Sequence, residues 1–99
     1  MSNNIVFITV NKKNIVKPLS ESDKIIVYDG DKHKVVRELS NPYRKGFWIL
    51  EELFDEHDPT LLISSGIDEE TKFLIEENGV KVIITKQKRV EEILDEFFG

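Results

Sequence analysis

The chain contains no cysteine. This absence excludes a disulfide, a thiolate nucleophile and any zinc ion or iron–sulfur cluster held by cysteine. Long apolar runs are also lacking, since none approaches the ~20 residues that span a bilayer, and the first residues have neither the basic start nor the apolar core of a signal peptide. We therefore expect a cytoplasmic protein without membrane contact.

Basic residues are fewer than acidic ones, 14 against 19, which gives a formal net charge of −5. Nucleic acid is therefore not the expected partner, because binding to a phosphate backbone needs a basic field. With 99 residues, 39% of them hydrophobic, the chain can fill one core. We predict a single domain over residues 1–99, with disorder only at Met1 to Asn3.

Hydrophobic periodicity predicts five strands and three helices. The predicted strands are residues 4–10, 24–29, 33–39, 61–64 and 80–85, and the predicted helices are residues 46–57, 68–78 and 89–98. The Asp29-Gly30 pair predicts a tight hairpin between the second and third strands, with the glycine at positive φ. Ile15-Val16 predicts a short edge segment that Pro18 stops.

The resulting order, β-β-β-α-β-α-β-α, predicts a mixed five-stranded sheet with helices on both faces, because crossover connections are right-handed. If strands one, four and five are parallel, a ligand belongs at their carboxyl ends, where the connections diverge. The predicted binding residues follow those ends: Asn11, Lys12, Ser65, Gly66, Thr85 and Lys86.

Several short motifs occur in one order along most of the chain. They are Ile26-Val27-Tyr28-Asp29, Asn41-Pro42, Ser65-Gly66-Ile67, the run from Glu76 to Thr85 (EENGVKVIIT) and the run from Val90 to Leu94 (VEEIL). In this order they resemble the dinitrogenase iron-molybdenum cofactor biosynthesis family. The resemblance implies a ribonuclease-H-like three-layer α/β/α fold and a protein that binds or carries the iron-molybdenum cofactor or its cluster precursor.

The chain departs from that family where a ligand would be held. Residues 16–22 replace a loop whose histidine, glycine and arginine are absent here, residues 43–46 replace a stretch rich in histidine and glycine, and Asp68 replaces a glycine. Binding of the family's cofactor is thus predicted to be lost or changed. A cluster could be held only by backbone amides, polar side chains and lysines, which implies weak and salt-sensitive binding.

The turn at Gly66 precedes a helix N-terminus, which carries about half a positive charge and suits an anion. Three carboxylates in the first turn, Asp68, Glu69 and Glu70, more than cancel that half charge. The alternative interpretation of Asp68 is a plain N-cap.

No catalytic constellation is visible in the sequence. His33 and His57 lack the spacing of a metal pair, and Asp29-Gly30-Asp31 is a turn without the later ligands of a calcium loop. The first strand has no acid for two-metal nuclease chemistry, and Ser64-Ser65-Gly66 is not a nucleophile elbow. We predict a protein that is not an enzyme.

Two functions remain open. The first is a small non-enzymatic binding or carrier protein for a metallocluster or small ligand. The second is a protein-protein interaction module or subunit that uses an exposed sheet edge or the aromatic and basic segment from Tyr43 to Trp48, in which Phe47 belongs to the core and Trp48 is half exposed. Residues 86–89 are either a solvated loop or part of the ligand edge.

Overall fold

The computed structural model describes residues 4–99, so the expectation for Met1 to Asn3 lies outside the described part of the chain. The strands are β1 (Ile5–Val10), β2 (Lys24–Asp29), β3 (Lys34–Ser40), β4 (Leu61–Ser64) and β5 (Lys81–Ile84). The α-helices are α1 (Phe47–His57), α2 (Glu69–Glu77) and α3 (Val90–Phe98). The element order is the predicted one, and each boundary differs from its prediction by at most one residue.

The strands form one five-stranded sheet in the order β3-β2-β1-β4-β5. Strand β1 pairs in parallel with β4, and β4 pairs in parallel with β5, whereas β2 is antiparallel to both of its neighbours. Parallel neighbours need a helical crossover, which α1 and α2 provide. The predicted mixed sheet is confirmed.

Each face of the sheet has its own apolar core. Helix α3 covers one face, where the buried residues are Val6, Ile8, Val10, Val16, Ile26, Tyr28, Ile63, Val90 and Ile93. Helices α1 and α2 cover the other face, where the buried residues are Phe7, Leu19, Ile25, Val27, Leu50, Phe54, Leu62, Ile75 and Val80. Alternate residues of β1 point into opposite cores, as the period of a strand requires. The three-layer α/β/α architecture is thereby confirmed.

The hairpin between β2 and β3 differs from its prediction. Positive φ occurs at His33, with φ 53°, and Gly30 is not among the residues at positive φ. The turn is longer than a two-residue hairpin turn. The Asp29 carboxylate stabilises it by accepting hydrogen bonds from the N–H groups of Asp31 at 2.9 Å and Lys32 at 3.1 Å. A Cβ atom at position 30 would lie 2.5 Å from the side-chain amide nitrogen of Asn4, which would have to move.

Two further features bear on surface exposure. Phe97 lies seven positions after Val90 on the apolar face of α3 but is 39% exposed, so the part of this face that packs is narrower than the helical spacing indicates. Within residues 4–99, no helix combines the length and the apolar character that a membrane span requires.

Candidate binding site

The three parallel strands end at one edge of the sheet, here called the carboxyl edge: β1 at Val10, β4 at Ser64 and β5 at Ile84. All six predicted binding residues follow these strand ends within two positions. Strand ends of this kind leave a crevice where connections depart in different directions. The three strand ends thus lie together at one edge, as predicted, and ligand binding at this edge stays a prediction.

A stretch of the chain, residues 14–19, crosses this edge and is here called the crossing segment. The N–H of Val16 donates to the carbonyl of Lys88 at 2.8 Å, and the N–H of Leu19 donates to the carbonyl of Gly66 at 2.9 Å. Ile15 and Val16 form bridges with Arg89 and Val10. The predicted short segment at Ile15-Val16 is present as two isolated bridges before Pro18, and it lies where the ends of β1, β4 and β5 meet.

Two apolar residues anchor the crossing segment. Val16 is fully buried in the core under α3, and Leu19, three positions later, is buried in the core under α1 and α2. The segment therefore passes over the end of the sheet with one side chain fixed on each face. Burial on both sides makes it part of the folded core rather than a detachable loop.

The carbonyl of Lys17 fixes the middle of the crossing segment. It accepts hydrogen bonds from the hydroxyl groups of Thr9 at 2.7 Å, Ser64 at 3.2 Å and Ser22 at 3.3 Å. Thr9, Ser22 and Ser64 are all buried. These hydroxyls are engaged in structure, because a buried hydroxyl without a partner would cost free energy.

A small pocket lies on the α1 and α2 side of the crossing segment. Its lining residues are Pro18, Leu19, Ser20, Tyr43, Gly66, Ile67 and Asp68, and its volume is about 140 Å³. Pockets that enclose whole small ligands are larger, roughly 300–1,000 Å³. This pocket can accept one group of a larger ligand.

Gly66 lines this pocket without a side chain of its own. A Cβ atom at this position would lie 3.4 Å from Pro18, an ordinary contact, so Gly66 is needed neither for positive φ nor to avoid a clash. The absence of a side chain at Gly66 keeps the pocket open.

The rim of the pocket is acidic. The Asp68 carboxylate accepts a hydrogen bond from the N–H of Thr71 at 3.3 Å and caps helix α2, so the predicted N-cap is confirmed. Hydrogen bonding to the side chain of Thr71 is the main cause that lowers the pKa of Asp68 below its ordinary value. Asp68 is thus ionised at neutral pH, and Glu69 and Glu70 add two more charges in the first turn of the helix.

We expect Asp68→Ala to destabilise the protein at neutral pH and to lose this effect in acid. The carboxyl has a lower pKa when folded, so its contribution to stability is present above the unfolded pKa and disappears as the pH falls through the folded pKa. Urea unfolding of both proteins from neutral pH to below the ordinary aspartate pKa measures the difference. A difference that persists unchanged in acid would contradict a role for the ionised cap.

The six predicted residues have different surroundings. Gly66 alone among them lines the pocket. The Asn11 amide oxygen accepts hydrogen bonds from the N–H groups of Lys13 at 2.9 Å and Ile15 at 3.0 Å, and so shapes the turn after β1. The N–H of Thr85 donates to the carbonyl of Ser64 at 2.9 Å, and the side chains of Lys12 and Lys86 are exposed.

Two polar atoms at the carboxyl edge are buried without a hydrogen-bond partner among residues 4–99: the Asn14 amide oxygen and the Ser65 hydroxyl. Ser65 is the last of the six predicted binding residues, and its N–H donates to the Lys17 carbonyl at 3.4 Å. Buried polar atoms of this kind are rare in folded proteins. Their presence is consistent with an edge that is adapted to contacts beyond the chain itself.

Most of the pocket residues were not predicted. Tyr43 reaches the pocket through a 3₁₀ turn after β3, and its hydroxyl lies 3.1 Å from the Thr71 hydroxyl. In the sequence, only the Asn41-Pro42 motif pointed to this turn. The Asn41 side chain donates to the carbonyl of Leu19 at 2.8 Å and so joins the turn to the crossing segment. That contact spans 22 positions and is not readable from local pattern.

The exposed aromatic residue next to this region is Trp48, at 61% exposure, while Phe47 packs against the core under α1 and α2. Both placements agree with the sequence-based expectation. The interpretation of this segment as a protein interface stays a prediction.

Neither histidine lies near the pocket. His33 is in the turn between β2 and β3, and His57 ends α1, with its ring 5.9 Å from that of Phe7. Both belong to the opposite end of the sheet, and within residues 4–99 no group of three His, Cys, Asp or Glu side chains could hold a metal ion. The donors at the pocket are one carboxylate, hydroxyls and backbone groups, which do not fit coordination of iron by thiolate or imidazole.

A five-stranded mixed sheet between helices, with a pocket where its parallel strands end, defines an α/β protein of the ribonuclease-H-like type. Within that class the chain belongs to the family described as dinitrogenase iron-molybdenum cofactor, whose profile matches residues 3–99. The predicted family is confirmed. No curated protein matches the chain.

Solved structures share the fold at low sequence identity. The apo form of the orange protein from Desulfovibrio gigas is similar with a TM-score of 0.78 and 13% identity, over 97% of this chain and 88% of that one. A Thermotoga protein solved by NMR gives 0.74 and 22%, over 95% and 86%. A Methanocaldococcus jannaschii protein gives 0.72 and 16%, over 99% and 90%. At these identities the likeness concerns the fold.

Proposed function

We propose that this protein is a small, non-enzymatic, cytoplasmic binding or carrier protein whose ligand binding has changed within its family. The family name supports a metallocluster or its precursor as the class of cargo. The observation that carries the proposal is the pocket between the crossing segment, Tyr43 and the Gly66 to Asp68 turn. It lies at the carboxyl edge, where a fold of this type receives ligands.

The mode of binding follows from the donors at the edge. Since the chain has no cysteine and both histidines lie elsewhere, a cluster bound here is held through its outer groups and not through its iron atoms. The pocket of about 140 Å³ takes one such group, and the remainder of the ligand stays outside it. Contacts of this kind are few and exposed to solvent, so binding is weak and sensitive to salt, which screens the charge of the acidic rim.

We propose no enzymatic role, because the buried hydroxyl groups at the carboxyl edge of β1 and β4 are engaged in hydrogen bonds to the backbone. The hydroxyl groups of Thr9, Ser22 and Ser64 are engaged with the backbone carbonyls of Lys17, Pro18 and Gly66 and are thus unsuited to act as nucleophiles. A nucleophile also needs an adjacent base, and both histidines are at the opposite end of the sheet. The arrangement supports holding a ligand rather than converting it.

The acidic rim supplies a direct test with isolated iron-molybdenum cofactor at low salt. We expect a weak, salt-sensitive change in the cofactor's absorption with the wild type, and an affinity up to about fivefold higher for Asp68→Asn, because one nearby unit charge in water is worth about 1 kcal/mol. Asparagine keeps the N-cap, so the fold of α2 is retained.

The matched control is Asp55→Asn, which removes one exposed carboxylate from α1 without touching the pocket. We expect its affinity to equal that of the wild type. Absence of any spectral change at low salt with either protein, or an equal gain for both variants, would argue against cargo binding in this pocket.

A further inference from the structure

Six basic residues lie in and beside the crossing segment. Residues 12–17 and 86–89 contain Lys12, Lys13, Lys17, Lys86, Lys88 and Arg89, and no acidic residue. The rest of the chain contains the other eight basic residues and all 19 acidic ones. This surface, here called the basic strip, therefore has a charge opposite to that of the protein as a whole.

Backbone hydrogen bonds hold the two halves of the basic strip together. The N–H of Val16 donates to the carbonyl of Lys88 at 2.8 Å, and the N–H of Val90 donates to the carbonyl of Asn14 at 2.9 Å. The Lys17 ammonium also donates to the side chain of Gln87 at 2.8 Å. The cations are thus close in the fold although about 70 positions separate them along the chain.

The basic strip and the pocket lie on different sides of the carboxyl edge. Val16, which lies within the strip, and Val90, which directly follows it, belong to the core under α3. Leu19, Tyr43 and Ile67, which line the pocket, belong to the core under α1 and α2. A partner on the strip would leave the pocket accessible, so the two surfaces can be tested separately.

The chain itself neutralises only part of this charge. Lys88 pairs with Glu96 at 3.0 Å, and Arg89 pairs with Glu92 at 3.6 Å, both at exposed positions where such pairs stabilise little. Asp23 lies beside the strip, where its carboxylate accepts a hydrogen bond from the N–H of Lys12.

The side chains of Lys12, Lys13 and Lys86 have no ion pair within residues 4–99. Like charges held together repel one another, and an acidic partner would remove that cost.

We propose that the basic strip is a docking surface for an acidic patch on a partner protein. A compact acidic patch fits better than nucleic acid for two reasons. Neither half of the strip contains an aromatic residue on which bases could stack. Acidic residues at its borders, Asp23, Glu92 and Glu96, would repel a long phosphate chain but leave room for a patch of limited size.

The test uses the full chain and a fluorescein-labelled glutamate-rich peptide, followed by anisotropy at low and at physiological ionic strength. We expect the wild type to bind this peptide in a salt-sensitive manner, and the double variant Lys13→Glu/Lys86→Glu to bind about tenfold more weakly or worse, since two cations become two repelling charges.

The matched control is Lys32→Glu/Lys81→Glu, which makes the same change in net charge at the opposite end of the sheet. We expect this control to bind within about twofold of the wild type. Three results would overturn the proposal: no peptide binding at low salt, equal weakening in both double variants, or tighter binding of a labelled single-stranded DNA than of the peptide. None of these results would bear on cargo binding in the pocket, because the pocket lining contains none of the substituted lysines.

Discussion

Replacement of Leu19 by alanine is expected to lower the free energy of unfolding by about 2–5 kcal/mol, the range for a buried leucine. Leu19 lies in no strand or α-helix, yet it is only 2% exposed and packs in the core under α1 and α2. Because Leu19 also lines the pocket, its truncation would enlarge the pocket towards the core. The crossing segment would then lose one of the two anchors that hold it over the sheet.

The neighbouring residue supplies the control for this prediction. Ser20 also lines the pocket but is exposed, so Ser20→Ala should change the free energy of unfolding by no more than about 0.5 kcal/mol. Urea denaturation of the wild type and both variants measures the two values. A cost below about 1 kcal/mol for Leu19→Ala would mean that the crossing segment is a detachable loop and that the pocket has no fixed wall.

Replacement of Phe7 by alanine is expected to be more damaging, at about 3–5 kcal/mol. Phe7 lies in the central strand β1, is fully buried, and has its ring 5.9 Å from those of Phe54 and His57. The contact between the rings of Phe7 and His57 shows that His57 packs against the core. The same substitution should therefore also change the NMR signals of the His57 ring.

Phe73 provides a matched control for this substitution because it has the same side chain but is 61% exposed on α2. We expect Phe73→Ala to cost less than about 1 kcal/mol. Thermal or urea unfolding of the two variants compares a buried with an exposed phenylalanine in one protein. Similar costs would show that the core under α1 and α2 is not packed as described.

The strands and helices could be predicted from local sequence pattern, because each of them buries apolar residues at the spacing typical of its own type. The run from Ile5 to Val10 is apolar except for the hydrogen-bonded Thr9, as suits a strand covered on both faces, and Val90, Ile93 and Leu94 recur at helical spacing. Asp68 was identified as an N-cap because its partner, Thr71, is three positions away. Contacts over such short separations are visible in the sequence.

The pocket was only partly predictable because distant contacts build it. Asn41 reaches Leu19, Tyr43 reaches Thr71, and the carbonyl of Lys17 joins hydroxyls from three parts of the chain. The hairpin prediction was wrong for a local reason. The Asp29-Gly30 pair is typical of a tight turn, but the Asp29 carboxylate accepts hydrogen bonds from the N–H groups of Asp31 and Lys32, and positive φ falls at His33.

We propose that ligands bind at the carboxyl edge, in the pocket between the crossing segment and the Gly66 turn. The decisive measurement is a chemical-shift titration of the labelled protein with anions, nucleotides and cluster analogues, including isolated iron-molybdenum cofactor. We expect shifts centred on Ser20, Gly66 and Ile67, with smaller shifts at Ser65. Shifts confined to the opposite end of the sheet, around His33 and His57, would contradict it.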